Sequence, residues 1–159
     1  MLLAALLAGG CGFQLRGEAR LPAALDQTAL LAPDDASPFV RELQLMLRAN
    51  GVALSDQAGE GRASLRIFSE RMRRETLTIA GDARVREYVL IFEVDFSLTD
   101  PDGEIMIERE VQRLTRDYSF DEQEILAATR EEEFLRDDLR KAMASSLLRR
   151  LEALGSRQP

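Results

Sequence analysis

The sequence of 159 residues contains no histidine, no tryptophan and a single cysteine. Without histidine, the chain lacks the side chain most often used for acid/base catalysis and for binding transition metals. Histidine-based triads and metal motifs are therefore excluded. One cysteine cannot form an internal disulfide or a paired-cysteine metal site. We expect no metal site and no cofactor.

Positive charge is also scarce, since 21 Lys and Arg residues face 28 Asp and Glu residues and the net charge is −7. Nucleic-acid binding needs clustered excess Lys and Arg, so we expect no nucleic-acid partner. Neighbouring carboxylates such as Asp34-Asp35 and Asp137-Asp138 have no activated nucleophile in their vicinity. Solvated charge explains them, and we predict no catalytic residues and no enzyme activity.

The chain opens with the apolar run LLAALLA at residues 2–8, followed by two glycines and Cys11. This run is shorter than the roughly 20 apolar residues of a transmembrane helix and is typical of a secretory signal. A basic n-region is missing, which indicates a start further upstream. The two small residues before the cysteine resemble the bacterial lipobox, with Ala8 where leucine is usual. We therefore predict a lipoprotein signal peptide at residues 1–10 and a covalent lipid anchor on Cys11; the alternative is a buried free cysteine.

The first half of the remaining chain predicts a strand and a helix. Residues 28–32 are short and apolar and are followed by a turn, which is typical of a strand. An amphipathic helix follows, with Ser37 as N-cap, Pro38 at its first position and Asn50-Gly51 as its stop. Residues 55–62 are polar and contain two glycines, which predicts a loop.

Three strand-like runs follow, near residues 63–80, 83–99 and 104–118. In the middle run the even-numbered residues from Tyr88 to Leu98 are apolar, and we expect them to face the core. Polar turns between the runs imply two antiparallel hairpins. The predicted pairs are Leu98 with Ile105, Phe96 with Ile107, Phe92 with Val111, Arg84 with Ile79, Arg86 with Leu77, and Arg113 with Leu90. Unbroken alternation would push Arg71 and Arg73 into the core, so we expect a β-bulge within 68–76.

A long helix is predicted to close the domain. Asp121 and Glu124 open it in the manner of a capping box, and Gly155 ends it. Its apolar stripe comprises Leu135, Leu139, Ala142, Met143, Leu147, Leu151 and Leu154. Its length of about 50 Å exceeds a small sheet, so we expect part of it to overhang or bend. The fold class is α+β, with two helices on one face of a four-stranded mixed or antiparallel sheet in the order β-α-β-β-β-α.

The run CGFQLRG at residues 11–17 closely resembles the mature N-terminus of the LPS-assembly lipoprotein LptE family, where LPS is lipopolysaccharide. The order of elements fits that family to about residue 154. The resemblance implies one LptE-like domain over residues 11–155, followed by a flexible tail at 156–159. It also implies an outer-membrane lipoprotein on the periplasmic face, which complexes with the β-barrel LptD, supports its assembly, plugs its lumen and assists LPS insertion. Gly12 favours outer-membrane sorting by analogy.

A second reading from another class remains open: a generic envelope accessory lipoprotein of a lipid-transport or barrel-assembly machine. For LPS itself, the predicted site is a sheet tip that carries Arg84, Arg86 and Arg113 beside aliphatic side chains. Arginine binds phosphate in bidentate fashion, which suits a phosphorylated and acylated ligand. The alternative is that these arginines only prevent wrong strand pairing at the sheet edge.

Overall fold

The computed structural model describes residues 21–79, 85–119 and 125–155. Its elements in chain order are a 3-10 turn Ala23–Leu25, β1 Gln27–Leu31, α1 Pro38–Ala49, β2 Ala53–Ser55, β3 Ala63–Ile79, β4 Val85–Thr99, β5 Ile105–Ser119 and α2 Ile125–Gly155. The strands form one sheet in the order β2-β1-β3-β4-β5. β1 runs parallel to β2 and β3, whereas β3, β4 and β5 are antiparallel neighbours. The predicted α+β class is confirmed.

The predicted count of four strands is wrong, because β2 adds a fifth at the sheet edge. Its three residues pair in parallel with Gln27, Thr28 and Ala29 of β1. The buried Val52 and the hydrogen bond from the amide of Ala53 to the carbonyl of Asp26 hold this segment beside β1. A strand of three residues is too short to produce a recognisable hydrophobic alternation.

α1 begins and ends at the predicted signals. The Ser37 hydroxyl accepts a hydrogen bond of 3.0 Å from the amide of Val40, which satisfies one of the free donors at the helix start. At the other end, the Asn50 side chain donates to the carbonyl of Met46 at 2.8 Å, and Gly51 has a φ of +86°. A left-handed residue at this place stops a helix at little conformational cost when it is glycine.

The core lies between the two helices and one face of the sheet. The predicted inward alternation of β4 is confirmed, because Leu90, Phe92, Val94, Phe96 and Leu98 are all buried. From α1, the ring of Phe39 meets Phe92 edge to face, with 5.5 Å between centroids. From α2, the predicted stripe supplies the buried residues Leu139, Met143, Leu147 and Leu151. The opposite face of the sheet carries no described helix, and we call it the open face.

A β-bulge in β3 confirms the expected break in alternation. Phe68 is the extra residue, because its two neighbours pair with consecutive residues of β4. Beyond the bulge Met72 lies opposite Phe92 and packs against the core, so that Arg71 and Arg73 point to the open face. One inserted residue thereby keeps two guanidinium groups out of the apolar core.

The predicted register of the second hairpin is wrong. Leu98 lies opposite Ile107, Phe96 opposite Glu110 and Phe92 opposite Leu114, so Ile105 and Val111 do not have the predicted partners. Two register shifts near the hairpin turn move β5 along β4. The turn itself spans five residues, closed by the amide of Asp100 on the carbonyl of Glu104, with Gly103 at a φ of +87°. Each inserted residue moves the following side chains to the other face.

The first hairpin also departs from its predicted register. Ile79 pairs with Val85, so Arg84 is not its partner. Leu77 is the extra residue at one register shift and Arg86 at another, so these two do not pair with each other. Bulges this close to a hairpin end leave no mark on the hydrophobic pattern.

α2 is one continuous helix that follows the long strands. Its 31 residues span about 46 Å, and the 15 residues of β4 span about 50 Å. The two lengths are similar, so the length of α2 alone does not require it to extend beyond the sheet. Within the acidic first half, Glu132 forms an ion pair of 2.8 Å with Arg74 of β3, which fixes this half to the sheet. The predicted caps Asp121 and Glu124 lie outside the described residues.

Candidate functional site

Two of the predicted site residues, Cys11 and Arg84, lie outside the described residues. Arg86 belongs to β4 at a register shift, and the structure describes its backbone only. Arg113 lies in β5 and is described in full.

Arg113 does not lie opposite Leu90 as predicted, because its partner on β4 is Glu93. Directly opposed residues share a face, so Arg113 projects from the open face beside Glu93. The shift in register also moves it along the strand. It lies about 25 Å from Val85, where β4 begins, at roughly 3.3 Å per residue. Arg113 thus belongs to the middle of the open face and not to the hairpin tip.

Three arginines surround Glu93 on the open face. Arg71 of β3 and Arg113 of β5 lie directly opposite it on either side, which makes a row across three strands. Arg73 binds the carboxylate with both terminal nitrogens, one of them 3.2 Å from Glu93 Oε1, and its Nε donates to Glu75 at 2.9 Å. The Nε of Arg113 is 3.7 Å from Glu93 Oε1. We call Arg71, Arg73, Glu93 and Arg113 the open-face cluster.

The electrostatics of the cluster are dominated by its guanidinium groups. Hydrogen bonds from Arg73 hold the pKa of Glu93 below its ordinary value against the opposing effect of burial, and the positive charges of Arg73, Arg113 and Arg71 add to this lowering. The same ion pairs raise the pKa of Arg73. Glu93 therefore remains ionised at neutral pH with three cations around it.

On the same face, Arg109 and Asp95 form a neighbouring ion pair in which each is the other's main partner. Arg109 Nη2 lies 2.6 Å from Asp95 Oδ2, and the Nε donates to both carboxylate oxygens at 3.0 and 3.1 Å. The guanidinium lies 4.1 Å above the ring centroid of Phe68, the bulge residue. Hydrogen bonds from Arg109 lower the pKa of Asp95. One cation and one carboxylate thus satisfy each other, which contrasts with the open-face cluster.

The sequence pattern placed Arg71 and Arg73 outside the core but did not associate them with Glu93 or Arg113. The missing information is the register on both sides of β4, which depends on bulges in β3 and β5. The available signal was the run of acidic residues at odd positions of β4, because these mark its polar face. A cation on each neighbouring strand at the same level completes the cluster.

Metal-ligand clusters and membrane-spanning helices are both absent from the part of the chain that the structure describes. No group of three acidic or cysteine side chains within 21–79, 85–119 and 125–155 could hold a metal ion. Across those same ranges, no helix is both long enough and apolar enough to cross a membrane. The fold defines an α+β domain in which two helices cover one face of a mixed five-stranded sheet and arginines line the other.

A family model described as "LptE: Lipopolysaccharide-assembly" matches residues 21–151. The chain belongs to this LptE family, which is not a family of enzymes. Among similar proteins, the LPS-assembly lipoprotein LptE of Pectobacterium atrosepticum is 30% identical over 157 residues, covering 98% of this chain and 84% of that protein. The LptE of Photorhabdus laumondii is 28% identical, covering 94% of this chain and 81% of that protein.

Solved structures share the fold. The NMR structure of lipoprotein B from Nitrosomonas europaea superposes with a TM-score of 0.77 at 26% identity, covering 92% of this chain and 94% of that one. The crystal structure of rare lipoprotein B from Shewanella oneidensis gives a TM-score of 0.71 at 28% identity, with coverages of 80% and 94%. Two helices on one face of a mixed sheet are thus a shared architecture.

Proposed function

We propose that the protein is an outer-membrane lipoprotein that forms a complex with an LptD-like β-barrel, supports its assembly, plugs its lumen and assists LPS insertion into the outer leaflet. The observation that carries the proposal is the family match over residues 21–151, which spans the whole core of the domain. Relatives of similar length carry the name LPS-assembly lipoprotein. The proposal extends that role to this chain.

The membrane anchor in this proposal is a lipid on Cys11. Residues 1–10 act as the signal peptide, residues 11–155 form the mature domain and residues 156–159 its tail. Several acyl chains on one residue anchor a domain firmly, since each buried methylene contributes about 0.8 kcal/mol. The domain then lies on the periplasmic face of the outer membrane.

The open face supports the plug role by its polarity. The inside of a large membrane β-barrel is polar, so a protein placed there needs a surface that keeps its charges hydrated or paired. The open-face cluster and the Arg109–Asp95 pair supply such a surface over the middle of the sheet. The proposal assigns contact with LPS to the hairpin tip through Arg84 and Arg86.

The experiment that tests this function is purification of the tagged full-length protein from detergent-solubilised outer membranes. We expect a large β-barrel protein in equal amount, together with an N-terminal peptide whose intact mass fits a tri-acylated Cys11. The control Cys11→Ser should lose the acyl mass and the membrane fraction. Recovery with an inner-membrane transporter, or alone, would favour the generic accessory lipoprotein instead.

A further inference from the structure

We propose that the open-face cluster binds a phosphate group of a phosphorylated, acylated glycolipid at a site separate from the hairpin tip. The proposal rests on the proposed function for the identity of this ligand, which is LPS in that setting. It adds a second anion site about 25 Å along β4 from the start of the strand. The donors are Arg71 and Arg113.

Arg71 and Arg113 have hydrogen-bond donors that no described residue uses. Each guanidinium offers five N–H groups, and only Arg73 uses several of them, on Glu93 and Glu75. Arg71 makes no hydrogen bond or ion pair with a described residue and is exposed. Arg113 approaches Glu93 no closer than 3.7 Å, and its side chain is 51% exposed. The two guanidinium groups on either side of Glu93 can therefore donate hydrogen bonds to a bound anion.

The open-face cluster carries a local excess of positive charge in an acidic chain. Three arginines share Glu93 and Glu75, whereas the nearby Asp95 is already neutralised by Arg109. The whole chain carries a net charge of −7, so this excess runs against the overall charge. A phosphate with up to two negative charges complements it.

An exposed apolar side chain beside the cluster favours a lipid over an acidic protein surface as the ligand. Val111, two residues before Arg113 on the same face, is 61% exposed. At the far end of β5, Ile105 is 69% exposed. Val111 thus offers an apolar contact directly beside Arg113, which a ligand that carries both phosphate and acyl chains can use.

The test measures binding of the purified, acylated full-length protein to LPS and to phosphatase-treated LPS. We expect the unmodified protein to prefer intact LPS. Arg71→Ala and Arg113→Ala should each weaken that binding by about threefold to tenfold, as expected for loss of one charge-assisted contact. Arg149→Ala removes the same charge from an exposed position on α2 and should bind as the unmodified protein does.

Glu93→Gln is the decisive variant because its predicted effect has the opposite sign. Removing the internal anion frees Arg73 and Arg113, so intact LPS should bind more tightly. If the cluster has a purely structural role, Glu93→Gln should bind intact LPS more weakly than the unmodified protein or equally well. Either result would overturn the proposal. Thermal melting of each variant checks that the fold is retained.

The remaining outcomes also decide the question. Equal binding of intact and phosphatase-treated LPS, or no binding by the unmodified protein, refutes the phosphate site. Loss of a copurifying barrel in Arg71→Ala and Arg113→Ala with LPS binding unchanged would refute it in favour of an acidic protein partner. Copurification of a barrel with the unmodified protein is scored separately, so the proposed function can stand when the phosphate site fails.

Discussion

The hydroxyl of Tyr118, near the end of β5, donates a hydrogen bond to the carboxylate of Glu132 on α2. The same carboxylate accepts from Arg74 of β3 at 2.8 Å and from Arg136, one turn along the helix, at 2.7 Å. The ring of Tyr118 stacks on Tyr88 with 5.6 Å between centroids. One glutamate therefore joins two strands to the acidic half of the last helix.

Tyr118→Phe should lower the free energy of unfolding by about 1.5–3 kcal/mol, the usual net contribution of a hydrogen bond to a charged group. The substitution keeps the ring and its stacking on Tyr88, so the effect isolates the hydroxyl. Urea denaturation followed by circular dichroism measures it. A variant as stable as the unmodified protein would show that the hydrogen bond contributes nothing to the hold on α2.

Glu132 should make stability depend on pH. Burial alone would raise the pKa of Glu132, but hydrogen bonds from Tyr118, Arg136 and Arg74 outweigh it and the net shift is downward. A carboxyl whose pKa is lower in the folded state stabilises the fold above its ordinary pKa of 4.5, and this contribution is lost as the pH falls through the lowered value.

Glu132→Gln should accordingly be less stable than the unmodified protein at pH 7, with the difference shrinking below about pH 4.5. Melting temperatures of both proteins between pH 7 and pH 3 test this. A difference that stays constant over that range would mean that the ionised carboxylate is not the stabilising species.

Two leucines of α1 provide a matched test of the core. Leu43 is fully buried, whereas Leu45 is 65% exposed on the same helix. Leu43→Ala should lower the free energy of unfolding by about 2–5 kcal/mol through lost burial and the cavity left behind. Leu45→Ala should change it by less than about 0.5 kcal/mol. Similar losses in chemical denaturation would contradict the placement of α1.

Charge reversal at Arg84 and Arg86 tests the hairpin tip. The double variant Arg84→Glu and Arg86→Glu should bind LPS at least about tenfold more weakly, because two cations become anions beside a phosphorylated ligand. Circular dichroism and melting temperature should be unchanged. If LPS binding is retained in a folded double variant, the tip arginines are edge charges without a binding role.

The sequence predicts best where a signal is local. For α1, Ser37, Pro38 and Asn50 mark both helix ends, and the structure confirms them. The alternation of β4 and the apolar stripe of α2 predict which side chains are buried, because burial imposes a period on the chain. A bulge within 68–76 could be predicted because unbroken alternation would place two arginines in the core, and the structure has it at Phe68.

Register is where the sequence falls short. Each inserted residue hardly changes the alternation of apolar and polar residues in the sequence, but it moves every later side chain to the other face of the sheet. The shifts near the turn between β4 and β5 separate Arg113 from Leu90 and place it beside Glu93. The open-face cluster could therefore not be predicted, because the residues that lie opposite each other on its three strands depend on the positions of several bulges. β2 was missed because three residues carry no period.

We propose that this protein serves LPS assembly from a lipid anchor in the outer membrane. The most direct measurement is to deplete the protein in its own bacterium and quantify LPS on the cell surface, with restoration by the unmodified protein or by Arg149→Ala. We predict that depletion lowers the amount of surface LPS and the amount of the outer-membrane barrel partner. Either the unmodified protein or Arg149→Ala should restore both amounts. An unchanged amount of surface LPS after complete depletion would show that the protein has no necessary role in LPS assembly.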